Sequence, residues 1–238
     1  MSAVSPAALP NTQVAKGTPS TLAAIKTMPP QTTAAMFMPP LVSHIEHSRA
    51  LADVRVLPLT TRDPSGLLER GDADLAVGYF PETVAGLLGQ GDDSPLRHAP
   101  LQDSEYVCVM REGHPLADAP LTLDAFCAAQ HLLVSFSGRA HGLVDQALTT
   151  LNRDRRVVLT VNQYFTAGRV VANSNLLTVL PAFFVDSTGY REQVVTRPLP
   201  FDLAGLQISM LWHQRNDRVS SQQWLRQRLL EAAAARTG

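Results

Sequence analysis

The chain has 238 residues, 45% of them hydrophobic and 17% charged, with a formal net charge of −1. That length buries a sizeable core, as one large domain or two lobes. The charge is balanced, Lys16 and Lys26 are the only lysines, and no basic run exists, which excludes an obvious nucleic-acid footprint.

The N-terminus, MSAVSPAALPNTQVAKGTPST, is rich in Pro, Ser, Thr and Ala and has no basic start leading into an apolar core. It is not a secretory signal, and residues 1–21 read as a disordered tail or linker remnant. No apolar run is long enough to span a bilayer, so a cytoplasmic protein without a membrane partner is expected.

From there strand and helix alternate. TLAAIKTM (21–28) predicts a weak first strand. A helix follows over about 34–51, with Leu41, Ile45 and Leu51 on one face and Pro39 and Pro40 in its first turns. VRVLPL (54–59) alternates as a strand does, PSGLLERG (64–71) is a short helix closed by Gly71, and ADLAVGYF (73–80) is a buried strand. EYVCVMREGHPL (105–116) holds a strand ending in a turn, and TLDAFCAAQ (122–130) a helix capped by Thr122. A strand at 132–135 leads through SFSGR to a helix at 141–151. RRVVLTV (155–161) is a strand, with a helix from Asn162 to about Ala172. Strands at 176–181 and 206–213 come next, then a closing helix from near Ser220 with Trp224, Leu225, Leu229 and Ala232 inward. Such alternation predicts an α/β fold with mainly parallel sheets and ligands at the carboxyl ends of strands.

Cys108 and Cys127 fall in a strand and a helix, and read as buried free thiols, with a disulfide as the alternative. His44 and His47, three apart on one helix, have no further ligands at zinc-site spacing. The chain has no G-x-S-x-G elbow, Walker A loop, G-x-G-x-x-G turn or H-E-x-x-H. Ser135, His141 and Asp145 form no convincing triad, because they share one loop and one helix. No catalytic residue, metal ligand or cofactor is assigned, and the protein is not expected to be an enzyme.

Five segments carry a family resemblance: GDADLAVGYFP (71–81), YVCVMREGHPL (106–116), HLLVSFSGRAHG (131–142), VVLTVNQYFTAGRVVANSNLLTVLP (157–181) and ISMLWHQRND (208–217). In this order they resemble the effector-binding domain of LysR-type transcriptional regulators, nearest the branch that senses aromatic and flavonoid-like compounds. The resemblance implies a two-lobed type 2 periplasmic-binding-protein-like fold. Lobe I would comprise 22–98 plus 214–238 and lobe II 99–213, with crossings near Pro100 and Trp212. It also implies a homodimer or homotetramer that reaches DNA only through a helix-turn-helix, of which no trace precedes the first strand here.

The same resemblance implies a small-molecule effector, aromatic or carboxylated, held between the lobes. Its candidate contacts are Thr32, Thr33, Tyr106, Ser135, Phe136, Ser137, Gly138, His141, Tyr164 and Phe165. The start of the helix at 141–151 would favour a ligand anion. Ser135 and Ser137 would donate hydrogen bonds, Gly138 would admit close backbone approach, and His141 would answer to a bound charge. Tyr164 and Phe165 would line an aromatic-tolerant pocket. The alternative for this pair puts Phe165 in the core and Tyr164 on the surface. Alternatives for the whole are a solute-binding protein of the same fold or a non-functional regulator fragment.

Overall fold

The computed structural model describes residues 21–235, apart from 29, 49–51, 60 and 137. The tail expected over 1–21 therefore lies outside the described residues, except for Thr21. Strand β1 (Thr21–Met28) leads to α1 (Pro30–Ser48), β2 (Ala52–Pro58), α2 (Ser65–Arg70), β3 (Leu75–Tyr79), α3 (Pro81–Gln90) and β4 (Leu96–Ser104). There follow β5 (Tyr106–Arg111), α4 (Leu123–Ala128), β6 (Gln130–Val134), α5 (Leu143–Thr150), β7 (Arg156–Val161), α6 (Tyr164–Ala172) and β8 (Thr178–Pro181). Then come α7 (Phe184–Ser187), β9 (Val194–Pro198), β10 (Leu206–His213) and α8 (Ser220–Ala234).

The strands form a five-stranded sheet ordered β2-β1-β3-β10-β4, a three-stranded sheet ordered β8-β5-β9 and a β6-β7 pair. The expectation of mainly parallel sheets needs correcting. β1 runs parallel to β2 and β3, and β6 to β7. β10, however, returns between β3 and β4 antiparallel to both, and β5 is antiparallel to β8 and β9. The sheets are mixed.

Two cores flank the first sheet. Ile25, Leu75, Val77, Ile208 and Met210 face α1 and α8, where Met36, Phe37, Leu41, Leu225 and Leu229 are buried. Ala76 and Leu211 face the other way, onto Leu68 of α2 and Leu87 of α3. Burial on both faces explains the unbroken apolar run of β3. Two further cores flank β5: Cys108 and Met110 with Phe126, Val144 and Leu148, and Val109 with Leu132, Ala167, Val171 and Leu180. Phe184 comes from the stretch between β8 and β9, yet its ring is buried in the first core with Phe37 and Ile25.

Local chemistry sets the helix ends. Gly71, at φ +79°, caps α2 and donates to Leu68 O. Thr122 caps α4, its Oγ1 accepting from the Ala125 N–H at 3.2 Å. α1 begins at Pro30, earlier than expected, and runs through Pro39 and Pro40. Burial of Met36, Phe37 and Leu41 on either side outweighs the hydrogen bonds those prolines remove. The residue before α6 is Gln163 rather than Asn162, and its side chain makes no cap. Both cysteines are free thiols, but Cys127 is only half-buried. The expected crossings at Pro100 and Trp212 lie within β4 and β10, which pair with each other in the first sheet. The chain leaves that sheet after Ser104 and re-enters it at Leu206.

Candidate functional site

The loop after β6 is shaped by two backbone bonds. The Ser135 N–H donates to Val161 O at 2.8 Å, prolonging the β6-β7 pairing, and the Gly138 N–H reaches Ser135 O at 3.4 Å. Gly138 takes φ +70°, which suits glycine. The turn leaves Phe136 47% exposed, with its ring edge-on to Tyr164 at 5.3 Å. Ser137 lies outside the described residues.

The start of α5 already holds an anion. Asp145 Oδ2 accepts the Gly142 N–H at 2.7 Å, and Arg155 donates to both Asp145 oxygens at 2.7 and 3.1 Å. The Arg155 side chain is 1% exposed and that of Asp145 12%. Burial works against the Asp145 charge. The Arg155 hydrogen bonds, the Gly142 N–H and the charges of Arg155 and His141 overcome it and hold the carboxyl below its ordinary range. The negative charge expected from a ligand at this helix end is thus supplied by Asp145. His141 itself is exposed.

Aromatic rings converge beside this loop. Tyr164, the first residue of α6, contacts Phe136 on one side and Phe184 on the other at 4.7 Å; Phe183 meets Phe184 at 4.2 Å. Tyr106 heads β5 and Tyr79 ends β3; both pack half-buried on the first core, as does Tyr164, which also touches the core around Val109. Two bonds tie the start of α7 to this crossover: the Ala182 N–H donates to Glu105 O at 2.9 Å, and the Phe183 N–H to Ser104 Oγ at 3.5 Å.

Burial and the neighbouring Tyr79 phenol push Tyr106 up to about 12. Burial, then the Tyr106 phenol, push Tyr164 up further. Both hydroxyls therefore stay protonated as donors. Among the described residues neither makes a hydrogen bond.

Of the ten residues singled out by sequence, the fold gathers Tyr106, Phe136 and Tyr164, with Ser135 next to Phe136. Phe165 is 54% exposed and packs on Tyr190 at 5.8 Å, so the alternative with a core Phe165 and a surface Tyr164 is reversed. Thr33 is buried on α1, and the side chain of Thr32 lies outside the described set. Sequence reasoning passed over Tyr79, Phe183 and Phe184. The signal for the last two was an aromatic pair two residues after a strand-ending proline, in LPAFF. A separate open groove of about 540 Å³, lined by Asp124, Cys127, Ala128, Asn152, Arg153 and Asp154, shares no residue with this junction.

The LysR substrate binding domain model matches residues 28–234. The transcriptional activator NahR of Pseudomonas putida is 28% identical over 82% of this chain and 62% of its own length. The transcriptional regulator LinR of Sphingobium indicum is 31% identical over 76% of this chain and 57% of its own. The chain thus spans about three fifths of these relatives. The regulatory domain of MexT, a transcriptional activator in Pseudomonas aeruginosa, superposes with a TM-score of 0.70 at 23% identity. The superposition covers 89% of this chain and 99% of that domain, and shows a shared fold. With the family match spanning nearly all of the described fold, the chain belongs to the LysR substrate-binding domain family.

Proposed function

We propose that this domain is the ligand-sensing part of a LysR-family transcriptional regulator, binding a small aromatic or carboxylated effector between two lobes. The lobes would be 21–104 with 206–235, and 105–205, divided where the chain leaves and re-enters the first sheet. The observation that carries the reading is the aromatic junction itself. Rings of the second half, Phe136, Tyr164 and Phe184, meet there, and the Tyr106 and Tyr164 phenols pack on the core of the first half; few convergent polar groups on apolar walls are what a ligand site needs.

An effector shifts the lobe orientation only by its difference in affinity between states. Transmission to DNA would pass through a homodimer or homotetramer carrying helix-turn-helix heads. Leu41 and Ile45 of α1 pack against the first core. No helix among the described residues is long and apolar enough to cross a membrane, and the domain would work in the cytoplasm. It would perform no catalysis.

A thermal-shift screen with aromatic and aliphatic acids and uncharged aromatics tests the reading. A ligand at about 100 times its Kd stabilises the fold by about 2.7 kcal/mol. A panel that leaves the melting temperature unmoved would remove the sensing function.

A further inference from the structure

We propose that Tyr164 couples the two halves of the molecule, so that the packing of Phe136, on the loop after β6, is felt in the helix pair α1 and α8.

Tyr164 holds a place that no other described residue shares. It packs against the core of Ile25, Phe37 and Leu225 in the first half and against the core of Val109 and Leu132 in the second. Among the described residues no other side chain belongs to, or packs on, both cores. Phe136 meets its ring at 5.3 Å and Phe184 at 4.7 Å, both within the range of favourable ring pairs. Tyr164 therefore joins a ring that is 47% exposed to one that is 1% exposed.

The backbone seats these rings. Gly168 follows Tyr164 by one turn of α6, and Thr188 stands four residues after Phe184. A Cβ on Gly168 would lie 2.4 Å from Thr188 Cβ, so α6 and the end of α7 touch there. The Ala182 N–H, donating to Glu105 O at 2.9 Å, ties the chain before α7 to the crossover between the halves. α6 and α7 thus form one packed unit that carries Tyr164 and Phe184 together.

A close-packed interior feels the loss of a neighbour. Phe136 is the exposed end of the row. Without its ring, Tyr164 is free to relax away from Phe184. Phe184 then loses a neighbour inside the core that holds Met36 and Phe37 of α1 and Leu225 and Leu229 of α8. α2 and α3 lie against the opposite face of the first sheet, outside this route. Whatever moves the loop, a ligand or a partner, would then be registered at α1 and α8.

Hydrogen exchange on the whole chain, read by mass spectrometry, tests the coupling without any ligand. Phe136→Ala is expected to speed exchange in α1 and α8 by about threefold or more and to leave α2 and α3 unchanged. Leu143→Ala removes an equally exposed apolar side chain from the start of α5, and is expected to leave α1 and α8 as in the parent. In a Tyr164→Leu background, Phe136→Ala is expected to add nothing further, the non-additivity of residues acting through a shared partner. Unchanged exchange in α1 and α8 on Phe136→Ala would overturn the inference. So would an equal effect from Leu143→Ala, a uniform rise that includes α2 and α3, or an undiminished Phe136→Ala effect in the Tyr164→Leu background. Should Tyr164→Leu fail to fold, the contrast between the two exposed-residue variants still decides.

Discussion

His131 is fully buried, and only one of its ring nitrogens is engaged. Nε2 donates to Phe126 O at 2.7 Å and the ring packs on Phe126 at 4.5 Å, while Nδ1 has no partner. Burial pushes its pKa down to about 4 from an ordinary 6.5; the Phe126 bond opposes this, and the Arg155 charge adds to it. The unfolded chain therefore binds the proton first as pH falls. Stability from this residue is complete above about pH 6.5 and is lost down to about pH 4, a span worth on the order of 3 kcal/mol. Urea midpoints measured across that range should fall with acid in the parent and flatten in His131→Leu; parallel curves would contradict the assignment. Gly168 makes a second test at this scale. A Cβ there would lie 2.4 Å from Thr188 Cβ and 2.9 Å from its Oγ1, where α6 meets α7. Gly168→Ala should cost about 1–3 kcal/mol by overpacking, measured by chemical denaturation at constant m-value. Neither residue stood out in the sequence: an apolar strand hides a committed histidine, and a close helix contact leaves no periodic trace.

At the scale of elements, α5 shows how a helix start can be completed from inside. Asp145 neutralises Arg155 and takes the Gly142 N–H, so one carboxylate serves both the helix end and a buried cation. Asp145→Ala leaves Arg155 uncompensated and should cost about 3–5 kcal/mol, whereas the double change Asp145→Leu with Arg155→Met should cost much less. Because the Asp145 carboxyl titrates below its ordinary range, its contribution is present above that range and lost as pH falls through the folded value. A difference denaturation series on the single and double variants checks both points. The alternation of elements was legible because β3, β5 and β10 are apolar on both faces and the helices between them are amphipathic. β4 was not legible: LRHAPLQDS carries Pro100, tolerated because β4 edges its sheet, with the register shifting beside it and Leu101 turned into the core. α3 was missed as well, although Pro81 and Glu82 begin it properly, because Gly86 and Gly89 dilute its pattern. Of the site, the loop and Tyr164 could be read from sequence. The Arg155 partnership could not, because it joins residues ten apart across a strand boundary within an arginine-rich run.

For the whole molecule, the question is what holds the two halves in one arrangement. The backbone link is narrow: the chain passes from β4 to β5 through Glu105 and returns to β10 past Gly205, where a Cβ would stand 2.9 Å from Ser104 O. A passage so thin leaves orientation to side chains, and Phe184 is buried in the first core. Its ring is 1% exposed within the core of α1, α8 and the first sheet, while its neighbours Leu180 and Val185 belong to the core around β5. Truncation to alanine should cost about 3–5 kcal/mol, but the magnitude is less telling than its distribution. If the ring is the link, Phe184→Ala should raise amide exchange in α1 and α7 and leave α2 and α3, which pack on the opposite face of the first sheet, as protected as before. It should also loosen the junction that Tyr164 shares with Phe184, so that any ligand found for the parent binds more weakly to the variant. A uniform loss of protection would mean that Phe184 supports global stability only, and unchanged protection in α1 would mean that the halves are held elsewhere. Phe184→Leu, which keeps an apolar plug while losing the aromatic face, separates the two roles: it should largely restore protection in α1 without fully restoring ligand affinity.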